Sequence, residues 1–501
     1  MDFSPPTPEA QAAQPHPFRG DALRRVPPSS PGHRAATTQR GPPKHRHCRP
    51  YLPFDNSTAS PLRSHPRPLF PTCLTGRHPL ISIQPVAPPP FHWWSAAPHR
   101  PFFAVGLVQM VLTIAWWGAE LTARHTGWWP MLDIVYATWA HQYLMLSGFI
   151  PFLLCGFLLT IVPRWLGQAE IPAQKFVLAW SLMTAGALVF WIGMFTSEVL
   201  LGVGVVLTGL GWVLGWITLM RRLLRGGRAE GRRHVAYALT GAGLGIVAHF
   251  AWGVWLWRGD WIWLDLAREL GVWGMMVLML MVVLNRMYPV FAINGLHEQL
   301  GSLAPEVAPP TSPSWFLPLA VALIAGRVTL AVLGEQPSLW LFDLPLLTAA
   351  AWVAWGWRLP ALIFAPLAWT LYVGWMWLLV GLTLEAIQSG ALALGYGELF
   401  GKAPLHALAI GLFGSVFLGV AGRVCRGHSG RPMAADRLTT AVFILFQAAV
   451  LARVLGEFPQ PGGDTPFFNI AAALIWVICA VGFAWRHLQM VVLPRVDGRP
   501  G

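Results

Sequence analysis

Five basic side chains stand inside apolar stretches of this chain: His141, His249, Arg327, His406 and Arg453. Imidazole and guanidinium are costly in such surroundings unless they have a task. Imidazoles that face one another across a helix bundle can ligate haem or copper. An arginine beside them can pair with a carboxylate such as a haem propionate. Met145 follows His141 by four residues, on one helix face, and a thioether beside an imidazole suits copper or a haem axial position. Each of these residues also has a plainer reading. A histidine can bond neighbouring backbone, an arginine can snorkel outward, and a methionine can simply pack.

These residues need helices to position them. Hydrophobic residues make up 55% of the 501 and charged residues 11%, against ~25% in a soluble chain. Apolar runs recur near 102–119, 132–162, 175–195, 199–220, 235–256, 266–290, 315–334, 339–357, 360–384, 403–424, 438–457 and 467–488. Most approach the ~20 residues that cross a bilayer core, and a backbone in lipid must satisfy its own hydrogen bonds. The expectation is an all-α polytopic bundle of about twelve transmembrane helices over 96–490, with a short cytoplasmic tail at 491–501. Residues 1–95 hold 21 of the 44 prolines and much arginine, with no hydrophobic period, and read as a disordered basic leader. Within it, the stretch 45–50 (HRHCRP) reads as a solvated basic tail or a loose metal binder.

Twelve spans put both termini on one side. With the N-terminus in the cytoplasm, the inner loops and tail carry 17 Lys/Arg, and the outer loops carry only Arg124, Arg258, Arg268 and Lys402. That partition follows the positive-inside rule. It also accounts for the net charge of +13 without nucleic acid, since loop arginines meet anionic lipid headgroups. In this orientation the five buried basic residues fall within roughly 15 Å of the outer boundary.

Two dense stretches are expected in cytoplasmic loops: Asn285 to Pro289, and Gly422 to Pro432. The second holds Arg423, Cys425, Arg426, His428 and Arg431, and reads as a structured turn suited to an anion, or as a charge anchor. Cys425 and His428 could ligate metal. The five cysteines form no CxxC pair, and Cys155 and Cys479 read as small buried side chains. Walker, GxSxG, HExxH and CxxCH patterns are missing.

Several stretches resemble one family. Pro98-His-Arg-Pro-Phe-Phe103 looks like its opening. His141-Gln-Tyr-Leu-Met-Leu-Ser-Gly-Phe149, continuing through Gly156 to Gly167, is similar to its signature HxHEMLFGF…GFLLTAVPNWTG. Asn285 to Phe291 resembles GRVIPFF, and His406 to Arg431 resembles HALTVG…ARVSLGHTGRP. The order and spacing run from about residue 96 to 490, and the family is that of the NnrS proteins. The resemblance implies a twelve-helix bacterial inner-membrane protein that contains haem and copper and is linked to nitric oxide and denitrification. Carried over residue by residue, it marks His141, Met145, His406, His428, Arg423 and Arg431. Three positions depart: Tyr143 and Leu144 stand where the signature has a second His and a Glu, and Tyr372 stands where the family has His.

Three function classes follow. One is a haem-binding protein, with copper as an option, that detoxifies or buffers nitric oxide or supports its metabolism, with His141, His406, His249, Arg327 and Arg453 at the cofactor and His141, Met145, His406 and His428 at metal. The second is a transporter or channel without a redox cofactor, built on twelve spans and the Arg327/Arg453 pair, although no internal repeat is visible. A third, a lipid-facing assembly factor, has no residue pattern of its own.

Overall fold

The structure, a computed structural model, describes residues 94–127, 134–304, 306, 308–358, 365–458 and 465–498. Most of the expected leader, including the stretch 45–50, Cys48 and Cys73, lies outside the described residues.

Helices account for 83% of the structure, and no strand occurs among the described residues. In chain order they are α1 (His99–Thr126), α2 (Ala137–Leu166), α3 (Val177–Thr196), α4 (Glu198–Leu224), α5 (Ala229–Arg258) and α6 (Trp261–Glu298). Then come α7 (Phe316–Val332), α8 (Gln336–Trp357), α9 (Pro366–Ala393), α10 (Ala403–His428), α11 (Arg437–Leu455) and α12 (Thr465–Val492). Eleven are long and apolar enough to cross a membrane, and α7 is a shorter apolar helix. Large apolar side chains such as Leu188, Ile192, Val199, Ile444 and Ile478 stand exposed on these helices. Water would not tolerate so much apolar surface, but lipid tails match it.

The chain folds back on itself, so α1 packs against α12 as well as α2. Three helices are the most enclosed: 78% of the apolar window of α2, 67% of that of α6 and 83% of that of α10 is buried. They are the second, sixth and tenth helices, so a central helix recurs every four spans. No sequence repeat announces this, because what recurs is position and backbone shape, not residue type.

Two expected loops are helical instead. α6 runs through Asn285 to Pro289 without a break. Its side chains are tied on both sides: Asn285 Oδ1 meets His234 Nε2 at 3.1 Å, Arg286 pairs with Glu230 at 2.5 Å, and the Tyr288 hydroxyl donates to the Trp357 carbonyl at 2.7 Å. These anchors hold the helix across the one amide donor that Pro289 lacks. Likewise α10 continues to His428, and only Ser429 onward turns, with Gly430 at a left-handed φ of 73°. α9 extends to Ala393, past the expected end at 384, and so takes Glu385 into the helix.

Candidate functional site

Each of the three central helices contains a widened turn with i→i+5 bonding. In α2 it covers Leu144–Gly148, in α6 Leu270–Val277 and in α10 Ala407–Leu412. Such turns are rare and concentrate at functional sites, because the extra residue re-aims the side chains around it. A polar residue stands at the start of each: His141 one turn before the first, Glu269 immediately before the second and His406 immediately before the third.

The turns of α6 and α10 pack together, and a cavity of about 360 Å³ opens beside them. That volume lies in the ~300–1,000 Å³ range of small-molecule and cofactor sites. Its wall is mostly apolar. The exceptions include His141 and Met145 from α2, His406 from α10, Arg453 from α11 and Asn469 from α12. Arg268 of α6 and Lys402, just before α10, add two more cations.

The two histidines are held differently. His406 donates its Nδ1–H to the Lys402 carbonyl at 2.8 Å, so Nε2 is the nitrogen left for a ligand. A backbone bond of this kind is the usual way a metal-binding imidazole is oriented. His141 is oriented by stacking: its ring lies 3.9 Å from that of Trp117, the planes 18° apart. Its Nδ1 is buried without a hydrogen-bond partner, and the side-chain oxygen of Asn469 on the same wall is likewise unpaired. Arg453 pairs with Glu457 of the α11 C-terminal turn, and the other oxygen of Glu457 accepts from the Lys402 amide at 3.1 Å. That carboxylate therefore ties the end of α11 to the start of α10.

The remaining candidates lie elsewhere. His249 is fully buried, with Nε2 at 2.8 Å from the Val205 carbonyl and its ring among Tyr143, Trp212 and Phe250. It does not line the cavity. Arg327 is off the cavity wall too, with each of its three guanidinium nitrogens facing a carboxylate. No nitrogen is left over to face a propionate. His428 sits at the far end of α10, ~33 Å along the axis from His406 at 1.5 Å per residue, so it cannot share a metal with His141 and His406. Its ring instead meets that of His99 at 4.0 Å. Cys425 is buried and carries a free thiol, as are Cys155 and Cys479.

The acids are what residue-type reasoning overlooked. Glu269 and Asp343 lie inside expected spans, and Glu385 just beyond one. All three surround Arg327, whose isolation in an apolar run was the available signal: a buried guanidinium requires counter-charges nearby. Among the described residues, no three His, Cys, Asp or Glu side chains gather as a metal cage. Two imidazoles on one wall therefore fit a group that brings most of its own ligands, as a porphyrin does for iron, better than they fit a bare ion.

Comparison with known proteins follows the same lines. No curated protein matches the chain. A family model described as NnrS protein matches residues 93–495, which spans every helix of the bundle and both histidines of the cavity. This chain is a member of the NnrS family.

Proposed function

We propose that the protein binds haem in the cavity between α2 and α10, and that His141 and His406 are the residues that would hold its iron. We place it in the bacterial inner membrane, in nitric oxide response or denitrification-linked metabolism, as the family resemblance implies. The observation that carries the reading is that His141 and His406, from helices eight apart in the chain order, line one cavity. Haem would supply an iron that binds nitric oxide and exchanges single electrons. The protein's own part is to hold and orient. The Lys402 carbonyl sets the His406 tautomer, and Trp117 sets the His141 ring plane. Arg453, Lys402 and Arg268 put positive charge on the cavity wall that could pair with carboxylates such as propionates, with Arg453 shared with Glu457. The apolar remainder of the wall excludes water.

Copper is a second reading, and Met145 favours it: its thioether shares the cavity wall with both imidazoles. An optical spectrum of the purified protein, with metal analysis, separates the readings. The expected result is a Soret band that is lost in both His141→Ala and His406→Ala while each variant still inserts in the membrane. Copper without a Soret band would favour the Met145 reading. The absence of both would overturn the cofactor reading in favour of a transporter or channel. A Soret band that survives both substitutions would remove the ligand assignment.

A further inference from the structure

Around Arg327, four helices bring together one guanidinium and three carboxylates. Nε of Arg327 lies 2.8 Å from Asp343 on α8, Nη1 2.9 Å from Glu269 on α6, and Nη2 3.0 Å from Glu385 on α9. The Trp273 indole covers the guanidinium at 3.7 Å. The Arg327 side chain is 3% exposed and Asp343 is fully buried. One further cation is in reach. Arg268 contacts the second oxygen of Glu269 at 3.1 Å, but it is shared with Asp265 at 2.8 Å. Two guanidiniums thus face four carboxylates.

Fully ionised, this group would hold an excess of two negative charges in the membrane interior. Uncompensated charge there is costly, and a carboxylate escapes the cost by taking a proton. Asp343 shows where the excess is least tolerable, because its Oδ2 is buried and has no hydrogen-bond partner at all. Glu385 sits at the rim of the group, its side chain 19% exposed against 10% for Glu269 and 0% for Asp343.

The group also connects to the cavity. Glu269 bonds Arg327 with one oxygen and Arg268 with the other, and Arg268 stands on the cavity wall. Glu269 further occupies on α6 the place that His406 occupies on α10, the last residue before the widened turn.

We propose that the Glu269–Arg327–Asp343–Glu385 cluster is a proton-holding site, carrying at least one exchangeable proton on Asp343 or Glu385, tied to charge in the cavity through Glu269 and Arg268. The step is the binding of a proton by a carboxylate to give the neutral acid, with no electron transferred. Negative charge entering the cavity draws a proton in, and positive charge releases one. The site does not require that the cavity hold haem.

Infrared spectroscopy of the full-length protein in lipid tests this directly. At neutral pH the wild type should show a carbonyl band of a protonated carboxylic acid that shifts in D₂O. The band should disappear in Asp343→Asn or in Glu385→Gln, both of which keep the shape and neutrality of the protonated acid and should insert normally. No band in the wild type, or a band unchanged in both variants, would mean that the cluster is purely an ion-pair lock and would overturn the proposal. Arg268→Gln tests the link to the cavity. Removing that positive charge should move the pH at which the band is lost upward by about half a unit or more. An unmoved midpoint would sever the cluster from the cavity. None of these readings depends on a bound cofactor, so the cavity assignment can fail while this one stands, and the reverse.

Discussion

The indole of Trp117 on α1 lies face to face with the imidazole of His141 on α2, ring centroids 3.9 Å apart. In a cavity wall without a hydrogen-bond partner for Nδ1, this stack is the main restraint on the His141 ring. Groups that orient a ligand typically contribute 10–100-fold to the affinity for what it holds. Trp117→Ala should therefore lower the retention of the bound group by about tenfold or more, with the protein still inserted. The ratio of Soret absorbance to protein after a detergent wash measures it. Retention equal to the wild type would show that the stack does not position the ligand.

His428 should not contribute to the same spectrum. It pairs with His99 at the opposite end of α10, and each ring is packed against the other. His428→Ala is expected to leave the absorption bands at their wild-type positions and heights while loosening the contact between the start of α1 and the end of α10. Bleached bands would relocate the ligand to the His99–His428 pair.

A pH effect is expected from Asp436, the N-cap of α11. Burial pushes its carboxyl up, but bonds from the Thr439 hydroxyl and amide and from Arg486 and Arg426 outweigh this and hold it well below the usual carboxylate range. Since the folded value is depressed, the stabilisation is fully present above the unfolded value of ~3.9 and is lost as pH falls through the folded one. Asp436→Asn should lower stability at neutral pH by about 1–2 kcal/mol, as loss of an N-cap and its partners does. The deficit should shrink as the pH falls below about 4. Melting temperatures at the two ends of that range provide the check, and a deficit that grows in acid would contradict the sign.

Topology gives the fourth prediction. The end of α4, the start of α5 and the turn between them, Arg221 to Arg233, should face the cytoplasm, and the segment around Gly259 the opposite side. Reporter fusions after α4 and after α5 should report opposite compartments, the first cytoplasmic. A first fusion on the far side would invert the whole arrangement.

The bundle was legible because twelve apolar runs leave the backbone no alternative to helix, and α1 to α12 fall close to those runs. Helix ends were less so. Asn285 to Pro289 carries the polar residues and proline of a loop, yet it is helical, with its side chains tied to His234, Glu230 and Trp357. At the site, the depth of His141, His406 and Arg453 could be estimated from span boundaries, and these three do share a cavity. Depth alone gave no azimuth, so His249 and Arg327 could not be told from them. His249 points into the packing of Tyr143 and Trp212, and Arg327 into its carboxylates. The widened turns have no residue signature, and a period of 3.6 projected through Leu144–Gly148 or Ala407–Leu412 assigns the wrong faces on one side of each.

Those turns also determine which changes in chain length the protein can absorb. A widened turn is one residue more than an α-helix needs, so deleting a single residue within Ala407–Leu412 would restore ordinary pitch without breaking the helix or reducing its greasiness. It would also leave the residues on either side near their present faces, because the widened turn already takes up the extra residue. What would change is the aim of the side chains in and beside the turn, His406 among them. The same holds for Glu269 and the turn that follows it. A one-residue gap at these turns is thus the length change the bundle tolerates best, whereas a one-residue deletion in an ordinary stretch of the same helices would rotate one end by about 100° against the other.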